Sequence, residues 1–359
     1  MAKSTIDLEA LAKRYQELFP RYEKLGRSLL GALAQTLTQQ GVELFGISFR
    51  IKDFDSFRDK VERGTYKDPF EEMSDICGLR IVHFYKSHLP LISETIAAVA
   101  EVLTSSDQEG VLKPEKFGFR ELVLAVKLKE ETLKQPGFED LAGLKVEIQI
   151  RTAVMNTWGE IQKELAYHSQ QEIPAEFSRK FFQLNTFFDL ADDMLDDLKK
   201  EKERYSQKIA QAAKAEGGFQ AQLPINLDNL QAFLDFHFPK RKKNLKVVSW
   251  LLVNIITPHQ ITMKELVDSY DIIKDKLPAL EKGLSGLLKE TYFFKEKEFE
   301  RTQGIMLMTL LSLTDEDYWN IIVNLFDERH WEKLLQFFHD WRAKLADKEP
   351  ARKNAPGKK

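Results

Sequence analysis

The stretch VEIQIRTAVMNTWGEI, residues 146–161, changes its period half-way through. Val146, Ile148 and Ile150 alternate with Glu147, Gln149 and Arg151, which predicts a strand with one apolar face and one polar face. Beyond Thr152 the apolar residues fall at helical spacing. A strand that spends one face on a carboxylate, an amide and a guanidinium belongs to a sheet whose second face meets something polar. Working outward, ISFRIK (47–52), CGLRIVHFY (77–85) and FRELVLAVKL (119–128) have strand character. Between them, FDSFRDKVERG (54–64) reads as a short helix ended by Gly64, and Leu89 to Leu103 reads as another helix.

Residues 6–40 carry Leu8, Leu11, Tyr15, Leu18, Leu25, Leu29, Leu30 and Leu33 at helical spacing, predicting two helices broken near Pro20. The pattern from Trp158 to about Gln211 is helical and ends in the charged run DDMLDDLKKEKERYSQK. The stripe Phe181, Phe182, Leu184, Phe187, Phe188, Leu190, Ala191 within it is expected to be helix packing. The expected organisation is an α+β domain over 1–214, a mixed sheet of about five strands flanked by helices. A linker over 215–224 (AEGGFQAQLP), an all-α domain over 225–348 and a disordered basic tail over 349–359 follow. The helical domain is rich in Leu, Phe and Trp, and no motif is visible in it.

A chain of 359 residues with 43% hydrophobic content can build two cores. Its 53 basic and 56 acidic residues leave a net charge of -3, so any polyanion must be held by a local cluster. A single cysteine, Cys77, excludes an internal disulfide and a multi-cysteine zinc site. With no signal-like N-terminus and no apolar run of membrane length, the expectation is a soluble protein of the reducing cytoplasm, away from membranes.

Such a local cluster is visible. Arg50 and Lys52 lie two apart on a strand and share a face; Ser56 and Lys60 lie four apart on a helix and do the same. Three cations and a hydroxyl from one short segment suit a polyphosphate, although a solvated charged face reads the same way. Asp75 stands before an apolar strand and Glu147 within one, where carboxylates are costly unless paired or holding a cation. A magnesium ion between the two and a nucleotide's phosphates would resolve that cost; a cap or turn at Asp75 and an ion pair of Glu147 with Arg80 or Arg151 are the structural alternatives.

Taken in order, Arg50-x-Lys52-xxx-Ser56-xxx-Lys60, then Asp75-Ile-Cys-Gly78-Leu-Arg80, then Gly118-Phe119-Arg120, then Val146-Glu147-Ile-Gln149-Ile-Arg151-Thr152 and Trp158 resemble the ordered motifs of the RelA/SpoT alarmone synthetase domain. The resemblance covers roughly residues 6 to 205. It implies a nucleotidyltransferase-like core and transfer of pyrophosphate from ATP to the 3′-hydroxyl of GDP or GTP, making ppGpp or pppGpp. It places Arg50, Lys52, Ser56, Lys60 and Arg80 on the ATP side, Asp75 and Glu147 as catalytic carboxylates holding Mg2+, and Phe119, Arg120, Gln149 and Arg151 on the acceptor. Phe119 stands where the family usually has a Tyr that stacks on the acceptor guanine. No hydrolase activity is expected.

The departures from the family fall on the acceptor side. G-Y-R-S-x-H is here Gly118-Phe119-Arg120-Glu121-Leu122-Val123, and the usual Glu-His pair is Gln162-Lys163. Three readings stay open: a guanosine alarmone synthetase, the same ATP chemistry aimed at another 3′-hydroxyl such as an adenosine nucleotide or the tRNA end, or a nucleotide-binding regulator that has lost synthesis. A homo-oligomer is compatible with each.

Overall fold

The computed structural model describes residues 7–107, 121–165, 174–277, 279–280, 282–283, 302–314, 317–323, 328 and 331–346. The chain forms two compact units, residues 1–200 and 201–359. In the first, α1 (Leu8–Gln39) leads into β1 (Leu44–Ile51), then α2 (Phe54–Arg63), the short α3 (Pro69–Glu72), β2 (Cys77–His83), α4 (Leu89–Val99), β3 (Ala100–Asp107), β4 (Leu122–Leu128), the short α5 (Glu130–Leu133), β5 (Lys145–Thr152) and α6 (Ala153–Glu164). The five strands make one mixed sheet in the order β1-β2-β5-β4-β3, with only β2 and β5 parallel. The α+β architecture expected from the sequence is the one present.

The apolar side of each strand meets α1 and α4. Leu79, Ile81, Val146, Ile148 and Ile150 are buried with Leu25, Leu29, Leu33 and Leu37 of α1 and with Ile92 and Ile96 of α4. Phe57 and Phe70 tie α2 and α3 to the same cluster.

Two local expectations give way to tertiary packing. Residues 8–39 form one helix with Pro20 inside it, where two were expected. The lost backbone bond costs about 3 kcal/mol, and the buried stripe running from Leu11 and Tyr15 through Tyr22 to Leu37 holds both halves on one line. The helix expected to reach Leu103 stops at Val99, and Ala100–Asp107 pairs with β4 as the edge strand β3. No glycine or proline marks that change, and AAVAEVL fits either period.

In the second unit, α8 (Leu227–His237), α9 (Leu245–Leu251), α10 (Met263–Ile273), α11 (Gln303–Thr314), α12 (Asp317–Ile322) and α13 (Trp331–Ala346) enclose a core of their own. Helix α11 is buried on all sides from Gln303 to Ser312, the mark of a central helix. The long helix α7 (Ala175–Ala215) contains the boundary between the units, so the division falls at 200/201 and not in the expected linker at 215–224. The helix runs unbroken until Gly217 supplies a positive φ of 69°. Ile209, Ala213 and, from the expected linker, Phe219 are buried in the core of the second unit. Among the described residues no helix is long and apolar enough to cross a membrane. The tail 349–359 lies outside the described residues.

Candidate active site

The polar face read from the alternation in β5 is built by strand register. Arg50 pairs with Gly78 and Gly78 with Glu147, making one rung across three strands; Ser48 pairs with Arg80 and Arg80 with Gln149, making the next. Side chains in a rung point the same way. Gly78 stands between Arg50 and Glu147 without a side chain of its own; a Cβ there would make only an ordinary contact, at 3.9 Å, with the Arg50 side chain. The result is a polar cavity of about 360 Å³ lined by Arg50, Lys52, Asp75, Arg80, Glu147 and Gln149, with Glu160 and Lys163 from α6 closing one side.

Asp75 lies in the turn between α3 and β2, and the Lys52 N–H donates to the Ile76 carbonyl at 2.8 Å, which fastens the end of β1 beside it. The Lys52 and Lys60 ammonium groups both reach Asp75 Oδ2, at 3.0 and 2.6 Å. Burial alone would raise the Asp75 carboxyl, but hydrogen bonds and charge from Lys60 and Lys52 outweigh it and hold the group below its ordinary value. Lys60 reaches Asp75 from the last turn of α2. Ser56, in the first turn of α2, is exposed; its N–H is taken by the Asp53 cap at 2.8 Å, and it does not line the cavity.

Glu147 is half-buried and accepts from Gln149 Nε2 at 3.0 Å. The ion pairs open to it on sequence grounds go elsewhere. Arg80 pairs with Glu160 at 2.9 Å, and Lys163 meets the same Glu160 oxygen at 2.9 Å. Hydrogen bonds from Lys163, then burial working against them, then the Lys163 charge and Arg80 leave the Glu160 carboxyl lowered. Glu160 is a site residue that sequence reasoning did not assign, although its spacing of three from Lys163 on a helix was visible. Gln162, at the family's usual Glu position, is buried and turned away from the cavity lining.

Arg151 differs from its expected place. Its side chain is only 4% exposed and its Nε and Nη2 both meet Glu121 Oε2 at 2.5 Å, with Nη2 also 3.3 Å from Gln149 Oε1. It lines a second cavity of about 230 Å³ with His83, Lys86, Glu121, Thr152 and Asp192. The glutamate at the family's serine position thus occupies the guanidinium expected for the acceptor, and Val123, at the family's histidine position, faces Gln149 across the β4–β5 ladder. Phe119 and Arg120 lie outside the described residues.

Around the second cavity, burial pushes the Asp192 carboxyl up to about 6, and its Oδ2 accepts from the Thr152 hydroxyl at 2.8 Å. Thr152 in turn accepts the Met155 N–H and caps α6. Burial pushes the His83 imidazole down to about 4, while its Nδ1 bonds the Tyr85 carbonyl at 2.9 Å. The bonds from Asp192 to Thr152 and from Thr152 to the Met155 N–H fasten the first turn of α6, the helix that carries Glu160 and Lys163.

Asp75 and Glu147 are hard oxygen donors opening on one cavity, and among the described residues no group of three or more His, Cys, Asp or Glu could hold a metal unaided. Two carboxylates suit Mg2+, which keeps waters and takes its remaining ligands from phosphate. The lysines keep Asp75 ionised, the form that a metal ligand requires.

Residues 49–172 match the family described as a region found in RelA / SpoT proteins. They belong to that family. Among curated proteins, the chain is 22% identical over 156 residues to the GTP pyrophosphokinase YwaC of Bacillus subtilis, a match spanning 42% of this chain and 72% of the relative. It is 27% identical over 129 residues to the GTP pyrophosphokinase YjbM of the same organism, spanning 36% of this chain and 59% of the relative. Among solved structures, the small alarmone synthetase 1 of B. subtilis aligns at a TM-score of 0.44 and 22% identity, over 54% of this chain and 99% of that one. A GTP pyrophosphokinase family protein of Streptococcus pneumoniae aligns at 0.42 and 20% identity, over 55% and 95%.

Proposed function

We propose that the first unit transfers the pyrophosphoryl group of ATP to the 3′-hydroxyl of a guanosine nucleotide, GDP or GTP. The observation that carries this reading is the single cavity in which Arg50, Lys52 and Arg80 face Asp75 and Glu147. Its curated relatives being GTP pyrophosphokinases supports the same choice.

In this reading Arg50, Lys52 and Lys60 neutralise the triphosphate, and Arg80 grips it from the next rung. Ser56 belongs to this group only through the resemblance. Asp75 and Glu147 would hold Mg2+, which supplies charge neutralisation on the phosphate oxygens. The acceptor 3′-oxygen attacks the β-phosphorus, the bond from that phosphorus to the α–β bridging oxygen breaks, and AMP leaves with that oxygen. The hydroxyl proton goes to Glu147, which lies on the strand facing the cations and is steadied by Gln149. Positioning and charge stabilisation carry most of such a reaction.

A second reading has a specific observation behind it. Glu121 engages Arg151, Val123 stands opposite Gln149, and Gln162 is buried, so the acceptor side departs from the family at each altered position. That pattern favours an acceptor other than guanosine, such as an adenosine nucleotide or a tRNA 3′ end. The test is incubation with ATP labelled at the β-phosphate, Mg2+ and, in turn, GDP, GTP, AMP and tRNA. Label on GDP or GTP supports the first reading, label confined to another acceptor the second, and label on none overturns both.

A further inference from the structure

Helix α7 brings to the second cavity a carboxyl group that the catalytic reading leaves unused. Its packed side turns Phe181 and Phe188 onto Trp158 and, one turn beyond Phe188, Asp192 onto Thr152. Leu184, Phe187 and Leu190 stay exposed, so the expectation that this stripe is packing holds for Phe181 and Phe188 and fails for those three. Asp192 is 0% exposed and spends Oδ2 on the Thr152 hydroxyl; its Oδ1 is buried and has no hydrogen-bond partner among the described residues. A buried carboxylate with an unmatched oxygen is costly unless a donor or a cation comes to it.

Two further acceptors line the same cavity. His83 Nδ1 lies 2.9 Å from the Tyr85 carbonyl, and a carbonyl only accepts, so Nδ1 carries the ring proton and Nε2 keeps its lone pair. Burial pushes that imidazole down to about 4, which keeps Nε2 an acceptor at any higher pH. Glu121 receives Nε and Nη2 of Arg151 on one oxygen, Oε2, so Oε1 is not spent on that pair. The cations beside these acceptors are already engaged: Lys86 Nζ meets Asp189 at 3.0 Å and Asp193 at 2.5 Å, and Arg151 serves Glu121 and Gln149. Lys86 and Arg151 thus stand among four carboxylates, Glu121, Asp189, Asp192 and Asp193, a balance that favours an incoming positive charge.

We propose that this cavity of about 230 Å³ binds a small primary amine in its ammonium form, giving one N–H each to Asp192 Oδ1, His83 Nε2 and Glu121 Oε1. An ammonium group carries three donors and no acceptor, the complement of these three atoms. Leu122, Ile150 and Met155 in the lining receive a short hydrocarbon stem. The site shares no lining residue with the catalytic cavity, and the proposal does not depend on the catalytic reading.

A pH dependence accompanies it. Burial pushes Asp192 up to about 6, with the Thr152 bond and the Lys86 charge working against it and Asp193 and Asp189 with it. The other titratable groups about the cavity are His83, itself beside His88 and Asp196, and the Glu121–Arg151 pair. An amine stays protonated to about pH 10 and pairs with the ionised carboxylate. Its affinity is therefore level above neutrality and falls toward tenfold per pH unit below about 6.

The test is isothermal titration calorimetry of the full chain with n-butylamine at neutral pH. One site per chain is expected, with a Kd of about 1 mM or tighter. Tetramethylammonium, which has the charge but no N–H, and 1-butanol, which has the stem but no charge, should not displace it. Asp192→Asn keeps the side chain's shape and should weaken binding at least tenfold and remove the fall in acid. In wild-type protein labelled with nitrogen-15 at histidine, the amine should shift the His83 Nε2 resonance saturably, a readout that needs no variant. Absence of saturable binding, equal binding of tetramethylammonium, or an affinity unchanged in Asp192→Asn overturns the proposal. Displacement of the amine by GDP overturns it as well, and assigns the cavity to the acceptor.

Discussion

Replacing Asp75 with Asn removes one charge and almost no volume, so it separates what the carboxylate does chemically from what it does for packing. In the folded chain its Oδ2 meets Lys52 at 3.0 Å, both side chains less than a fifth exposed, and Lys60 at 2.6 Å, with the lysine 44% exposed. The first contact is worth about 1–3 kcal/mol as a charged hydrogen bond. The second is worth about 0–1 kcal/mol once solvent screening is counted. A loss of about 2 kcal/mol leaves a domain of this size folded. Transfer should suffer far more, because removing a metal-facing charge costs several kcal/mol of transition-state stabilisation, and each 1.36 kcal/mol is a factor of ten. A fall in kcat/KM of about a hundredfold or more is expected, read by thin-layer separation of the labelled product beside a thermal melt. The pH dependence follows from the sign of the shift. The folded Asp75 carboxyl lies below its ordinary value of 3.8, so its contribution is present in full above 3.8 and is lost as pH falls through the folded value. The stability gap between wild type and Asp75→Asn should therefore be constant from pH 5 to 8 and close in stronger acid. Undiminished transfer, or a gap that widens in acid, would refute the reasoning.

Three further outcomes are expected. Glu121→Gln leaves the buried Arg151 charge without its carboxylate partner and should lower stability by about 3–5 kcal/mol in a denaturant titration. His83 and Asp192 have shifts of opposite consequence: the neutral imidazole's contribution is lost as pH falls from 6.5 to about 4, and that of the protonated carboxyl is lost as pH rises from 3.8 to about 6. Each spans about 3 kcal/mol at 1.36 kcal/mol per pH unit; they offset one another in the wild type. Stability should thus rise with pH in Asp192→Asn and fall with pH in His83→Gln between pH 4 and 6, as measured by urea titration. Glu121→Ser combined with Val123→His, assayed below its melting temperature, should raise kcat/KM for GDP; a fall would mean that the pocket serves a different acceptor.

The polar face of β5 was legible because alternation in a strand is a local property, and so Glu147 and Gln149 could be placed by counting. Arg50 and Lys52 followed by the same count, and Lys60 by helical spacing. Pairing was not legible. Nothing in the sequence says that Lys52 and Lys60 converge on Asp75, because that depends on where α2 ends relative to β2. The fate of Arg151 was hidden for a similar reason, since Glu121 reaches it from just ahead of β4, thirty residues away. Edge strand β3 escaped notice because its apolar residues satisfy both periods, and pairing with β4 decides between them. The joined helix at Pro20 shows a local breaker overruled by a stripe of buried leucines. Gly217 ends α7 where the sequence placed a linker, yet the boundary lies earlier because Ile209 and Ala213 already belong to the second core.

The most direct test of the shared cation is an electron paramagnetic resonance titration with Mn2+ in place of Mg2+, in the presence of a non-hydrolysable ATP analogue. One tight site per chain is expected, with Asp75→Asn and Glu147→Gln each weakening it at least tenfold while the nucleotide still binds through Arg50, Lys52 and Arg80. Manganese affinity unchanged in either variant would contradict the assignment of both carboxylates to one ion.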